Sequence, residues 1–401
     1  MSLHQFVPML SINTLKQITQ KFTDELIQSS QGKSTSLSFN FTNMPSAPII
    51  RKHQATYQSM VIGGTNFQKA LVRRSPTGIS LENILNLPLP KFSNSEEFYL
   101  FISSHLDDRA DILTINLAYE LDPFLRDLVL DGVLAFGGKE NTFADLIGHQ
   151  LGYEIENFLR LKHNREIIVA LANDTLCLAL SKLNQNQDSD SLVCGIVGTG
   201  LNFGLFVDEN NFINLESGNF DKFVQSKIGE IIDQTSEVVG DSKFEKEVSG
   251  AYLYQHYNLI IDQLGEDAPH ATSTDDLSIF ASAGSAPHHL VAQQLLERSA
   301  SLVACQIAGI YQFKNQPKLT FVMEGSLFWK AWQYKAMVSD YLAKLDIPTD
   351  SLHFTHVKNS SLIGSAQLAL INAPHIYVPK EDDEKEEEEP EKPAEPAPEH
   401  H

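Results

Sequence analysis

Apolar side chains recur at three- and four-residue spacing near the start of the chain, at Leu15, Ile18, Phe22 and Leu26, with polar residues between them. This spacing predicts an amphipathic helix over residues 13–29 that packs one face on another element. The same period predicts further helices over residues 97–107 and 142–160.

Short apolar runs predict strands at several places in the chain. One covers 112–119, and another, Ile167–Ala172, is rich in β-branched residues. Two glycine-rich turns, 63–66 and 198–202, each have a strand-like run on either side. Such an arrangement predicts two β-hairpins.

The triplet Asn173-Asp174-Thr175 directly follows the strand predicted at 167–172. In open α/β sheets, ligands bind outside the carboxyl ends of the strands, so Asp174 is a candidate general base. Asn and Asp are also common helix N-caps, and the apolar run at 176–180 is a helix that they could cap. Both interpretations remain open on these residues alone.

The glycine turns are candidate phosphate-binding sites, because paired glycines let backbone amides approach an anion. An ordinary tight hairpin explains Gly63-Gly64-Thr65-Asn66 equally well. A strand follows Gly198-Thr199-Gly200, which excludes the dinucleotide-binding fingerprint, and Gly32-Lys33-Ser34-Thr35 lacks the earlier glycine of a P-loop. Two strand–glycine–strand turns in one chain favour an ATP cleft.

Polar residues elsewhere fit a ligand with many hydroxyl groups, since carboxylates and amides accept and donate hydrogen bonds. The candidates are Asn173, Asn202, Glu216 and Glu245. A loop is predicted from Asp131-Gly132 to Gly137-Gly138-Lys139; its lysine could reach an anionic group or could simply be solvated.

Composition narrows the class of protein. The 401 residues are enough for about two domains. A net charge of −21 without a basic stripe argues against a nucleic-acid partner. Three cysteines without CxxC spacing indicate reduced thiols, and no apolar run is long enough to span a membrane, so we expect no membrane partner and a cytoplasmic location.

The order of these motifs resembles the hexokinase family, within the actin-like ATPase superfamily, from Leu15 to Leu370. The segments that carry the resemblance are Met44-Pro45, Gly63–Phe67, Asp131–Leu134 with Lys139, Asn173–Thr175, Gly198–Asn202, Asn214–Gly218, Phe244–Lys246 with Ser249–Leu253, Glu324–Phe328 and Gly364–Ala366.

The resemblance implies an α/β, two-lobed actin-like ATPase (ribonuclease H-like) fold, with an ATP and sugar cleft between a small and a large domain. Residues 1–50 would be an N-terminal helix and connector packed on the large domain. The small domain would cover 51–175 and the large domain 176–363. Residues 364–379 would be a helix that returns to the small domain. The composition of 380–401, with eleven acidic residues and three lysines, separately predicts a disordered tail, because it cannot bury enough apolar surface to fold.

The resemblance also implies transfer of the ATP γ-phosphoryl group, with Mg²⁺, to the 6-hydroxyl of a hexose such as glucose, by a monomer or homodimer. Asp174 would be the general base, and Lys139 would orient the reacting oxygen or phosphoryl group. Sugar contacts would come from Asn173, Asn202, Glu216, Glu245 and Lys139, and ATP contacts from Gly63, Gly64, Thr65, Asn66, Gly198, Thr199, Gly200, Gly325 and Ser326. No residue is expected to bind the metal directly.

Several positions depart from the family pattern. Val61 stands where an aspartate helps to hold the metal through water. The remaining departures are Gln68, Ala118, Gly138, Ser242, Glu324 and Asn359-Ser360-Ser361. Two hypotheses follow, namely a divergent active hexokinase and a catalytically weak or inactive sugar-binding or regulatory protein.

Overall fold

The structure, a computed structural model, describes residues 7–50, 55–75, 78–135, 145–183, 189–265, 268–284 and 286–372. Within these ranges the chain forms a five-stranded sheet, a six-stranded sheet and a two-stranded ribbon, with helices packed around them. The predicted α/β class is confirmed. No helix in the described ranges is long and apolar enough to cross a bilayer.

The five-stranded sheet holds the first predicted hairpin at its centre. Its order is β4-β3-β2-β5-β8, in which β3 is antiparallel to β2 and to β4, while β5 and β8 run parallel to β2. The strands are β2 (Ala55–Ile62), β3 (Asn66–Ser75), β4 (Gly78–Pro88), β5 (Ile112–Leu117) and β8 (Ile168–Asn173). The hairpin predicted around 63–66 and the strands predicted at 112–119 and 167–172 are therefore confirmed.

Two helices cover one face of this sheet, α2 (Ser95–His105) and α3 (Leu151–His163). Their buried residues, among them Phe98 and Ile155, share one apolar cluster with Met60 and Ile62 of β2. The ribbon of β6 (Leu121–Arg126) and β7 (Val129–Leu134) lies between β5 and α3 in the chain and contacts β8 through β7.

The six-stranded sheet has the order β1-β11-β10-β9-β12-β13 and is antiparallel up to β9, after which β12 and β13 run parallel to it. Its strands are β1 (Asn40–Asn43), β9 (Leu192–Val197), β10 (Leu201–Asp208), β11 (Asn211–Asn214), β12 (Leu319–Glu324) and β13 (Leu352–Thr355). The β9–β10 pair is the second predicted hairpin, which is confirmed.

A 28-residue helix, α9 (Pro287–Lys314), is the centre of the helical layer beside this sheet. The first helix, α1 (Ile12–Ser30), packs on it, and Phe22 closely approaches Gly309. The predicted helix at 13–29 is thus confirmed, with Leu15, Ile18 and Leu26 buried. The other helices are α4 (Asp174–Lys182), α5 (Lys227–Thr235), α6 (Lys243–Val248), α7 (Gly250–Leu264), α8 (Thr274–Ser282), α10 (Ser326–Lys330), α11 (Tyr334–Lys344) and α12 (Ser360–Gln367).

Helix α12 connects the two sheets. On one side it crosses α4, where a methyl group on Gly364 would overlap the carbonyl of Cys177, so only glycine allows this approach. On the other side, the backbone of α12 accepts hydrogen bonds from Tyr57 Oη (3.0 Å) and Ser59 Oγ (3.0 Å) of β2. Side chains of the five-stranded sheet therefore bind one side of α12, and the other side of α12 packs against α4.

Three predictions of local structure are wrong. Asp131 and Gly132 lie in strand β7, not in a loop, because the Asp131 carboxylate is buried and accepts the backbone N–H of Gly152 at 2.8 Å. The helix predicted from residue 142 begins at Leu151, since 145–148 form a turn and Gly148 is left-handed (φ +82°).

The last helix begins at Ser360 rather than Gly364, because Asn359 takes a left-handed conformation (φ 56°) at its N-cap. The domain boundaries stay a prediction. Residues 136–144, which include Gly137, Gly138 and Lys139, lie outside the described residues, as does the tail at 380–401.

Candidate active site

A cavity of about 270 Å³ opens where strands of the two sheets end. Residues that follow β5 line one side of it, and the β8–α4 junction and the β9–β10 turn line the others. This placement, outside the carboxyl ends of strands, is typical of ligand sites in open α/β sheets. The lining residues are Ala118, Tyr119, Glu120, Asn173, Asp174, Ile196, Gly200, Leu201, Asn202, Glu216 and Glu245.

The cavity brings together the described part of the predicted sugar set. Asn173-Asp174, Asn202, Glu216 and Glu245 come from four separate segments of the chain, and all of them line it. The lining contains carboxylates and amides but no lysine or arginine among the described residues. These carboxylates and amides suit a ligand rich in hydroxyl groups, with which they can exchange hydrogen bonds.

Asp174 is the first residue of α4, and Asn173 is the N-cap of that helix, with its Oδ1 accepting the N–H of Leu176 at 3.0 Å. The capping interpretation is thus correct for Asn173, which leaves the Asp174 carboxylate to face the cavity. Thr175 Oγ1 donates to Asp174 Oδ1 at 3.1 Å.

Burial raises the pKa of Asp174 to about 6, the Thr175 hydrogen bond opposes this rise, and the nearby Glu324 charge adds to it. A carboxylate with a pKa near 6 is ionised at pH 7 and accepts a proton more readily than an ordinary aspartate. The environment of Asp174 is therefore suited to a general base.

Glu216 lies just after β11 in a left-handed conformation (φ 48°), which is costly for a residue with a side chain. Its Oε1 accepts a hydrogen bond from Asn214 Nδ2 at 2.7 Å. Burial raises its pKa to about 7; the Asn214 bond opposes the rise, and the charges of Asp174, Glu120 and Glu245 add to it. A strained, crowded carboxylate facing a cavity is a feature of a binding site rather than of a stable core.

Glu245, on α6, connects that helix to the β9–β10 turn. Its Oε2 accepts the backbone N–H of Leu201 at 2.9 Å. Glycines make room for it on both sides, because a Cβ on Gly200 would lie 3.0 Å from Oε2 and a Cβ on Gly218 would lie 3.1 Å from the Glu245 Cβ. The turn and the carboxylate therefore pack as one unit.

Asn202 uses its whole amide group within the protein. Nδ2 donates to Thr175 Oγ1 (3.1 Å) and Asn214 Oδ1 (2.8 Å). Oδ1 accepts the backbone N–H groups of Phe203 (2.7 Å) and Ser217 (3.2 Å). Its direct sugar contact stays a prediction, and the observed bonds give it a role in holding its neighbours.

The turn 198–200 is braced by the start of α7. The N–H groups of Gly250 and Ala251 donate to the carbonyls of Gly198 (2.7 Å) and Thr199 (3.0 Å). These bonds satisfy the first N–H groups of α7 and fix the turn, since helix N-termini otherwise leave such donors unpaired.

The predicted adenosine residues lie beside this turn. A Cβ on Gly198 would be 3.0 Å from the Gly325 Cα. Gly325 itself has φ +109°, and a methyl group there would overlap the Val197 carbonyl. Ser326 begins α10 directly after it. The second phosphate turn and the Gly325-Ser326 segment thus form one surface.

The first predicted phosphate turn does not line the cavity. Gly63 N–H donates to the Asn66 carbonyl at 2.8 Å, which closes a tight hairpin, and Gly64, Thr65 and Asn66 are exposed at its tip. Tyr119 Oη, from the cavity wall, donates to the Gly63 carbonyl at 3.4 Å. The turn therefore borders the site, and its binding of phosphate stays a prediction.

Val61 pairs with Asn116 of β5, so the two side chains lie on the same face of the sheet. Asn116 Nδ2 donates to the Ser361 carbonyl at 3.4 Å, whereas its buried Oδ1 has no partner among the described residues. Ser360 and Ser361 donate to Glu324. One unpaired oxygen beside an apolar side chain is not a metal site, and the described residues contain no group of three His, Cys, Asp or Glu placed to hold an ion. That no residue binds Mg²⁺ directly stays a prediction.

Three residues to which the sequence assigned no role belong to the site. Glu120 lines the cavity, while Thr175 and Asn214 are buried behind it. Glu120 could have been found as a polar residue after a strand. Asn214 gives a weaker signal, because its role depends on the partners that β10 brings to it.

Comparison with known proteins shows extensive similarity. A protein-family model described as Hexokinase matches residues 281–371. Hexokinase-1 of Saccharomyces cerevisiae is 23% identical over an alignment that covers 93% of this chain and 92% of that protein.

Among solved structures, a hexokinase from Schistosoma mansoni complexed with glucose has 20% identity and a TM-score of 0.72, with 92% of this chain and 96% of that chain covered. A structure described as a hexokinase has 17% identity and a TM-score of 0.73, with 92% and 98% covered. The predicted two-lobed actin-like fold is thereby confirmed.

Proposed function

Given that this chain is a divergent member of the hexokinase family, we propose that it is a sugar kinase that transfers the γ-phosphoryl group of ATP to the 6-hydroxyl of glucose or a related hexose. The observation that carries the proposal is the shared cavity of Asp174, Glu216 and Glu245. A cytoplasmic location and a monomeric or homodimeric state belong to the same proposal.

In this reaction Asp174 accepts the proton of the attacking hydroxyl. Its pKa of about 6 places it close to the working pH, which is where proton acceptors are most effective. Glu216 and Glu245 accept hydrogen bonds from other sugar hydroxyls and fix the ring. Positioning of this kind supplies much of the catalysis in phosphoryl transfer.

On the nucleotide side, backbone groups of the turns at 63–66 and 198–200 bind phosphate oxygens, and Gly325-Ser326 contacts the adenosine. Lys139 would assist the reacting groups from the segment outside the described residues. Mg²⁺ that enters with ATP would neutralise part of the negative charge of its phosphates.

A second candidate function is sugar binding with weak or no phosphoryl transfer. Val61 favours it, because this apolar residue pairs with Asn116, whose Oδ1 has no partner among the described residues, at a position where the family pattern has a carboxylate. Metal charge stabilisation is worth several kcal/mol in such reactions, so a weaker metal contact would slow transfer without preventing sugar binding.

A coupled assay for ADP with glucose, MgATP and a high protein concentration separates the two functions. The kinase proposal predicts glucose-dependent ADP release that the Asp174→Asn variant lacks. Saturable glucose binding by calorimetry without ADP release would support the second function. Glucose-dependent turnover that is equal in the variant would contradict the assignment of Asp174 as the base.

A further inference from the structure

A continuous series of side-chain hydrogen bonds connects two carboxylates of the cavity. It runs from Asp174 through Thr175, Asn202 and Asn214 to Glu216, with distances of 3.1, 3.1, 2.8 and 2.7 Å. The carboxylates face the cavity, and the members between them come from α4, β10 and β11. Thr175 is fully buried and Asn214 is 5% exposed.

Backbone donors fix the direction of this series. The N–H groups of Phe203 and Ser217 both donate to the side-chain oxygen of Asn202. That oxygen therefore faces them, and the amide nitrogen of Asn202 faces Thr175 and Asn214 with its two protons. The opposite orientation of the amide would place two N–H groups against its nitrogen.

Two arms of the series start at the Asn202 amide, the Thr175 arm and the Asn214 arm, and each ends in a hydrogen bond donated to a carboxylate. Thr175 Oγ1 accepts from Asn202, so its own proton is available for Asp174 Oδ1. Asn214 Oδ1 also accepts from Asn202, so its Nδ2 donates to Glu216 Oε1. The Asn202 amide thus donates to Thr175 and to Asn214, and each of these two residues donates to one carboxylate.

We propose that Asn202 is a positioning residue, the branch point that orients the proton acceptor Asp174 through Thr175 and the sugar-binding carboxylate Glu216 through Asn214. This inference rests on the proposed function. The two arms serve different steps, because the Thr175 arm acts on proton transfer and the Asn214 arm acts on sugar binding. Fully satisfied polar networks of this kind hold their members in a single arrangement.

Both arms oppose the effect of burial, since a hydrogen bond donated to a carboxylate favours its charged form. Asp174 also faces the charge of Glu324 on β12, which raises its pKa. Glu216 faces Asp174, Glu120 and Glu245, all of which raise its pKa. Loss of one arm should therefore raise the pKa of one carboxylate.

The test compares Thr175→Val with Asn214→Leu. For Thr175→Val, we expect kcat to fall about tenfold near pH 6.5, the acid limb of kcat/KM to move to higher pH, and the glucose Kd to stay within about twofold. Thr175→Ser keeps the hydroxyl and should restore the original profile. For Asn214→Leu, we expect the glucose Kd to rise about tenfold with the acid limb unmoved.

Asn202→Asp preserves the shape but removes both donors, so it should combine the two effects. Asn211→Leu, in the same strand but bonded to Asp208, serves as the control for loss of an amide in β11. A loss confined to kcat in Thr175→Val and to glucose affinity in Asn214→Leu excludes a role in packing alone. Equal losses of kcat and glucose affinity in both variants overturn the proposal.

NMR titration of the carboxyl carbons tests the network without any turnover. Thr175→Val should raise the pKa of Asp174 alone, and Asn214→Leu that of Glu216 alone. If the wild-type protein shows no ADP release, the proposed function fails. These two pKa shifts would still show whether Asn202 is the branch point between the two carboxylates. Movement of both pKa values in both variants, or of neither, contradicts it.

Discussion

The proposed sugar side and the proposed nucleotide side of the cleft are built differently. On the proposed sugar side, residues from five segments converge on one cavity, and a continuous series of side-chain hydrogen bonds connects Asp174 with Glu216. On the proposed nucleotide side, the candidate contacts include backbone groups of the hairpin turns 63–66 and 198–200. The turn 63–66 is exposed at its tip. Asn116 Oδ1, which has no partner among the described residues, lies beside Val61, where the resemblance implies the metal-associated position of this side.

This contrast teaches that the two sides tolerate substitution differently. A turn presents its backbone amides with many side chains, whereas the sugar side depends on particular carboxylates and amides. We therefore expect substitutions on the proposed nucleotide side to reduce transfer while the proposed sugar site stays intact. The following experiments separate the two sides.

The largest expected effect comes from Asp174→Asn, which keeps the shape and removes the proton acceptor. We expect kcat to fall by about 10²–10⁴-fold while glucose binding changes little. Steady-state kinetics and calorimetry on the same preparation measure the two quantities. A fall in glucose affinity as large as the fall in kcat would assign Asp174 to binding instead.

A smaller effect, opposite in sign, is expected on the nucleotide side. Val61→Asp places a carboxylate beside Asn116 on the face that binds α12. We expect kcat to rise about tenfold at saturating MgATP, because the metal gains an anchor, and the glucose Kd to stay unchanged.

Val61→Asn is the matched control, since it has the same shape as the aspartate without the charge. An equal rise in kcat in both variants would mean that polarity, and not metal anchoring, was missing. No rise in either variant would remove Val61 as the cause of weak transfer.

The smallest effect concerns stability. The pKa of Asp174 is raised to about 6 and that of Glu216 to about 7, so between about pH 4 and pH 7 these two carboxyl groups bind more protons in the folded state than in the unfolded state. Their contribution to stability therefore falls as pH rises through this window.

Glu216→Gln should remove part of this slope and raise the free energy of unfolding at pH 8 by about 2 to 3 kcal/mol, measured by urea denaturation. Glu209→Gln, exposed in the β10–β11 turn, is the control and should leave the stability unchanged. Equal stability of wild type and Glu216→Gln at pH 8 would show that Glu216 is not destabilising in the fold.

Local patterns predicted much of the fold. The helix α1 and both hairpins follow from residue spacing, because one buried face decides their form. The strand position of Asp131 was missed, since its burial depends on the Gly152 N–H, which is distant in the sequence. The start of α3 depends on the left-handed Gly148.

For the site, the resemblance and the strand ends indicated carboxylates that line one common cavity in the structure. The orientation of Asn202 was beyond reach, because it follows from Ser217 and Asn214, which only the folded sheet brings beside it. The same limit applies to the raised pKa of Glu216, which depends on carboxylates from other elements.

The central claim is that a hexose binds among Asp174, Glu216 and Glu245. Calorimetric titration of glucose, with and without a non-hydrolysable ATP analogue, tests it most directly. We predict saturable binding of one glucose per chain that Glu216→Ala abolishes or weakens at least tenfold. Absence of heat in both conditions, or equal affinity in the variant, would contradict the account.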